Sequence, residues 1–107
     1  SAERAAEPDK AAQKQARMED AAARKSAVVE RRSLQKEVEK LEQQLAGWQA
    51  EKARLDEQLA DPALYAMPDP TDRGRIDSLH RQQVELAERI EAAEARWLEI
   101  HEALEAA

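Results

Sequence analysis

LADPALYAMPDPTDRGRIDSL, residues 59–79, separates two segments of the same character. Before it, apolar residues step by four and three through Leu34, Val38, Leu41, Leu45, Trp48, Leu55 and Leu59, interrupted chemically only by Lys52. After it the same spacing returns in Ile76, Leu79, Gln83, Leu86, Ile90, Ala93, Trp97, Ile100 and Leu104. A period of 3.5 residues held over several heptads marks a coiled-coil seam. Neither seam can stay in water and the connection is short, so the pattern predicts an antiparallel hairpin in which each helix covers the other. The connection carries one device twice, Asp61-Pro62 and Asp69-Pro70. An Asp side chain accepts from the free N–H groups of a helix start, and Pro is tolerated at the first helical position. The first pair predicts one short turn from Pro62 to Tyr65. The second opens the return helix, with Asp72 as an acid in capping-box position. Leu64, Tyr65 and Met67 belong to neither heptad and predict a cap folded over the open end of the seam; the competing reading is a partner-binding tip.

Antiparallel pairing can be laid out by register. The preferred alignment opposes Leu59 to Leu79, Leu45 to Ala93, Leu41 to Trp97 and Val38 to Ile100, and it places the large Trp97 one layer from the small Ala93. It brings the polar seam residues Lys52 and Gln83 close together near the tip. A slip of one heptad would set Ile100 against Arg31. Polar seam residues commonly specify register at some cost in stability, and Lys52 can reach water along its aliphatic stem.

Composition agrees with this architecture and narrows the chemistry. In 107 residues there is room for one domain or less. Charged residues are 37%, aromatic residues 3%, and Gly occurs twice. That is the composition of long helices, not of a globular core. With no Cys, disulfides and thiolate metal sites are excluded. No apolar run has the length of a membrane span, and no signal-peptide pattern opens the sequence. The fold class read from the sequence is all-α: a two-helix antiparallel coiled-coil hairpin with a helix-prone, partly disordered N-terminal extension. Residues 1–23 are expected to be a linker, disordered over 1–8, and 24–107 the hairpin, with helices over about 24–60 and 71–105 and a tip over 61–70; roughly 9–33 is expected to be helical, frayed at its start and continuous with the first coiled-coil helix. The structural residues of that tip are Asp61, Pro62, Leu64, Tyr65, Asp69 and Pro70. As an isolated domain the hairpin is expected to be monomeric.

No catalytic centre is legible. There is no phosphate-cradling Gly-rich loop. His80 and His101 lie three heptads apart, about 30 Å by helix rise, too far for one metal, and both read as solvated flank residues. Ser26, Ser33 and Ser78 have no base within reach in either register. The chain is therefore read as a non-enzyme that carries no cofactor of its own. What remains is charge. Residues 1–33 hold eight Lys/Arg against six Asp/Glu, whereas residues 34–107 hold nine against seventeen. Phosphate would be repelled by most of the chain. The candidates for contact with nucleic acid are Arg24, Lys25, Arg31, Arg32 and Lys36, with Lys40 one turn further on and Arg73 and Arg75 beside the tip. The plain alternative is that these residues pair with Glu at i±4 or are simply solvated.

RKSAVVERRSLQKEVEKLEQQLAGWQAEKARLDEQLADPALY, residues 24–65, followed by RQQVELAERIEAAEARWLEIHEAL, residues 81–104, resembles the C-terminal coiled-coil domain of the ABC-F ATPases. The features that carry the resemblance are LADPALY at the end of the first helix and RWLEI, Arg96 to Ile100, near the end of the second. The resemblance implies an arm cut from a cytoplasmic parent whose two ATP-binding cassettes lie upstream, with ATP and Mg as cofactors of that parent. Members of the family act on ribosomes in translation, and in one branch the terminal domain is associated with DNA binding. A structural or regulatory arm working by protein contact is the second reading. A third is the tRNA-contacting C-terminal arm of a valyl-tRNA synthetase, also a hairpin, against which RWLEI and the Tyr-bearing tip both argue.

Overall fold

A computed structural model describes residues 9–66 and 69–106 of the chain. The disorder expected over 1–8 and the packing expected of Met67 lie outside the described residues. Among those described there are two long helices and no strand: α1 spans Lys10–Ala60, a 3₁₀ turn spans Pro62–Tyr65, and α2 spans Pro70–Ala106. The expected all-α class is borne out. The chain divides into two units, Ser1–Gln35 and Lys36–Ala107.

In the first unit the helix starts on Asp9. The Ala11 N–H donates to Asp9 Oδ1 at 3.4 Å and the Gln13 N–H donates to the Asp9 carbonyl at 2.9 Å. This is the capping expected of Asp at a helix start. Every described residue of the unit is exposed apart from the half-buried Leu34. Met18, Val28 and Val29 remain in water, at 58%, 48% and 60% exposure. The residues between them are mostly Ala and charged, which favour a helix through intrinsic propensity rather than through a covered face.

The second unit is the antiparallel hairpin. Its buried side chains are Val38, Leu55 and Leu59 from α1 and Leu79, Leu86, Ala93 and Ile100 from α2. All seven are seam positions of the two heptad patterns. Leu55, Leu59, Leu79 and Leu86 form one cluster, against which Trp48 and Leu64 pack. Leu41, Leu45, Ile76, Ile90 and Trp97 are only half-buried. Two helices cover one stripe each and leave the flanks of that stripe open to water, so larger side chains on the seam keep an exposed edge.

Hydrogen bonds across the hairpin select the register. Gln83 Nε2 donates to Asp56 Oδ1 at 2.5 Å, and Trp97 Nε1 donates to Glu42 Oε1 at 3.1 Å. A one-heptad slip would carry Gln83 away from Asp56 to the level of Trp48. Lys52, expected to escape along its stem, instead holds Asp56 Oδ2 at 3.0 Å. The reason is local: Asp56 lies one turn away at i+4, and it also receives Gln83, so the ammonium meets a carboxylate already fixed in place.

At the turn, Asp61 has an extended backbone and its side chain accepts from the Ala63 N–H at 3.0 Å, with Pro62 at the first position of the 3₁₀ turn. Tyr65 Oη donates to the Leu59 carbonyl at 2.7 Å, satisfying one of the carbonyls that the end of α1 leaves without a partner. The cap over the seam is therefore shared unequally. Leu64 packs on the cluster, while Tyr65 is 54% exposed and is held by its hydroxyl. At the second Asp-Pro step the Asp72 N–H donates to the Asp69 carbonyl at 2.9 Å, which starts α2.

Candidate functional site

The basic candidates are all exposed. In the first unit Arg24 and Arg31 are seven residues apart and share one face of the helix; Lys25 and Arg32 share the adjacent face. None of these four forms an ion pair with a described residue. In the second unit Lys36 and Lys40 stand one turn apart. Lys40 contributes a weak field at Glu37 but makes no ion pair with a described residue. Of the two plain roles, pairing at i±4 is not made among the described residues, whereas simple solvation agrees with their exposure. Arg73 and Arg75 are exposed on the first turns of α2. Arg73 lines a cleft with the carboxylates of Asp69 and Asp72, while Arg75 does not.

That cleft, of about 490 Å³, lies between the 3₁₀ turn and the start of α2. Leu64 and Ile76 supply apolar wall and Tyr65 an aromatic one.

The strongest polar contacts of the hairpin are elsewhere, in residues the sequence reading did not assign a contact. The Arg96 guanidinium grips the Glu37 carboxylate through two N–H groups, Nε to Oε2 at 2.5 Å and Nη2 to Oε1 at 2.9 Å, and reaches Glu99 Oε1 at 2.8 Å through Nη1. The hydrogen bond from Arg96 holds the Glu37 carboxyl below its ordinary value, with the guanidinium charge adding to it. The same contact raises Arg96, which stays charged at any accessible pH. Asp56 is likewise lowered, first by the Gln83 hydrogen bond and then by Lys52. A paired two-donor grip of this kind adds geometry as well as attraction.

His101 departs from expectation. Its ring centroid is 4.0 Å from that of Trp97, and Nε2 is buried without a hydrogen-bond partner. Trp97, a seam residue one turn earlier, sets its ring tilted at 45° against the imidazole. His80 is exposed, as read. Among the described residues no group of His, Cys, Asp and Glu could hold a metal, and no helix is long and apolar enough to cross a membrane.

The family described as the ABC transporter C-terminal domain matches residues 30–102, well over half of the chain. The chain belongs to that family. No curated protein and no solved structure matches it. The match sets aside the synthetase arm that hairpin shape alone had kept open. In this ABC C-terminal domain, the residues behind the sequence resemblance turn out to be the fastenings of the hairpin. From LADPALY, Asp61 caps the turn, Leu64 seals the cluster and Tyr65 ties down the end of α1. From RWLEI, Arg96 and Trp97 each reach across to α1, and Ile100 is the most completely buried side chain. The domain is thus built as a stapled arm.

Proposed function

We propose that this ABC C-terminal domain is the non-catalytic arm of a cytoplasmic ABC-F ATPase and contacts nucleic acid, DNA or ribosomal or transfer RNA, while cassettes upstream bind and hydrolyse ATP with Mg. The observation that carries the reading is the set of basic side chains Arg24, Lys25, Arg31, Arg32, Lys36 and Lys40, exposed and without ion pairs among the described residues, in a chain that is otherwise strongly acidic. Cations left unpaired next to an acidic arm favour a polyanion that follows the basic stretch and avoids the rest. Arg73 and Arg75 are a second, smaller pair of candidates at the tip.

Salt titration tests it. Displacing counterions makes the logarithm of the binding constant fall linearly with the logarithm of salt, at about −0.9 per phosphate contacted on duplex DNA. Four to six contacts therefore predict a slope of roughly −4 to −5. Charge reversal at Arg31, Arg32 and Lys36 should remove about three contacts' worth of that slope and most of the affinity. Undetectable binding at low salt to both duplex DNA and structured RNA sinks the proposal. It would leave the second reading, a structural or regulatory arm working by protein contact, which the acidic character of residues 34–107 favours.

A further inference from the structure

The tip cleft has a charge opposite to the one a nucleic acid needs. Its walls bring two carboxylates, Asp69 and Asp72, against one guanidinium, Arg73. One side is the ring of Tyr65, more than half exposed yet pinned by the hydrogen bond from its hydroxyl to the Leu59 carbonyl. A ring already held by its hydroxyl loses little side-chain freedom when a ligand contacts it. Leu64 and Ile76, both half-buried, line the same space with apolar surface. The volume, about 490 Å³, falls within the range of small-ligand sites.

We infer that this cleft is a docking site for an arginine side chain presented by a basic segment of a partner protein. The match is chemical at each point. A guanidinium stacks on an aromatic face through the ring quadrupole. Its planar fork is satisfied by carboxylate oxygens. Its methylene stem lies on apolar wall. A phosphate entering the same space would meet a net negative charge. The inference does not rest on the nucleic-acid reading, which concerns the basic stretch on α1.

The test is an amide NMR titration of the 107-residue chain with the peptide acetyl-GRGRG-amide, its glutamate counterpart acetyl-GEGEG-amide, and a short single-stranded oligoribonucleotide. The arginine peptide should shift the amides of Leu64, Tyr65, Asp72, Arg73 and Ile76, and the other two ligands should not. Tyr65→Leu should weaken binding roughly two- to fivefold through the lost cation–π contact. Tyr65→Phe keeps the ring face and should retain most of the affinity. Asp72→Asn should weaken binding and reduce its salt dependence. Arg73→Gln decides between the ligand classes, because removing a competing cation tightens an arginine ligand and loosens a phosphate. Circular dichroism confirms that each variant is folded, and Asp72→Asn carries the test if Tyr65→Leu is not. Equal shifts with the glutamate peptide, shifts with the oligonucleotide instead, no shifts with the arginine peptide, or weaker arginine-peptide binding by Arg73→Gln would each overturn the inference.

Discussion

Arg96 is 39% exposed and Glu37 38%, yet the guanidinium bridges α1 and α2 with a two-donor grip and holds Glu99 as well. Exposed pairs contribute little on average, and this one is set apart by its geometry rather than by burial. Its pH signature has a definite sign. Glu37 and Asp56 both have folded-state values below their ordinary ones. Stability from such groups is fully present above the unfolded values, about 4.3 for Glu and 3.9 for Asp, and is lost as pH falls through the lower folded values. The thermal midpoint should therefore stay level from neutrality to about pH 5 and decline below about pH 4. Arg96→Gln should lower the midpoint at neutral pH and flatten the acid decline, leaving the part due to Asp56. Melting curves followed by circular dichroism across that range check this, and an unchanged acid slope in the variant would rule out the Glu37 contact as its source. Arg96 was legible in the sequence only as part of RWLEI. Its partner lies 59 residues away, and no spacing within one helix points to it.

Each of the two long helices carries one glycine. A Cβ built on Gly47 or on Gly74 meets nothing within 4 Å, and neither residue has a positive φ. Glycine in a helix interior is less favourable than alanine by about 0.8–1 kcal/mol. Gly47→Ala and Gly74→Ala should each raise stability by up to about 1 kcal/mol and act additively, since they lie in different helices without shared partners. Equilibrium denaturation of the two single variants and the double variant measures this. A loss of stability at Gly74 would mean that the first turns of α2 pack more tightly than the open surface there indicates. At this scale the sequence reading fared well. Helix starts at Asp61 and Asp69 follow from capping and Pro geometry, which act over a few adjacent residues and are written in the chain.

Across the whole hairpin, one polar layer interrupts the apolar seam: Lys52, Asp56 and Gln83, with the carboxylate receiving both neighbours. Replacing Lys52 and Gln83 by Leu should raise the thermal midpoint, because two polar seam residues give way to buried apolar area. It should also loosen the choice of register. Cysteines at Val38 and Ile100 provide the readout: the parent chain should cross-link almost entirely within one molecule, and the Leu variant only in part. Complete intramolecular cross-linking in both would show that the apolar layers alone select the pairing. The domain as a whole presents a stapled acidic arm, a basic exposed stretch and an acid-lined tip cleft, three surfaces with different electrostatic preferences.

Periodicity, caps and charge runs are properties of neighbouring residues, so the chain by itself determined the two helices, the turn between them, the stripe each helix buries and where the basic stretch lies. Contacts across the hairpin depend on register and on where long side chains reach, and these emerge only when both helices are in place. Folding therefore decided that Arg96 grips Glu37, that Tyr65 ties its hydroxyl to the end of α1 while staying more than half exposed, and that His101 sits against Trp97 with its Nε2 buried. The same reason explains the tip cleft. Its carboxylates and guanidinium come from the start of α2 and its aromatic wall from the 3₁₀ turn, and only the reversal of the chain brings the two around one space.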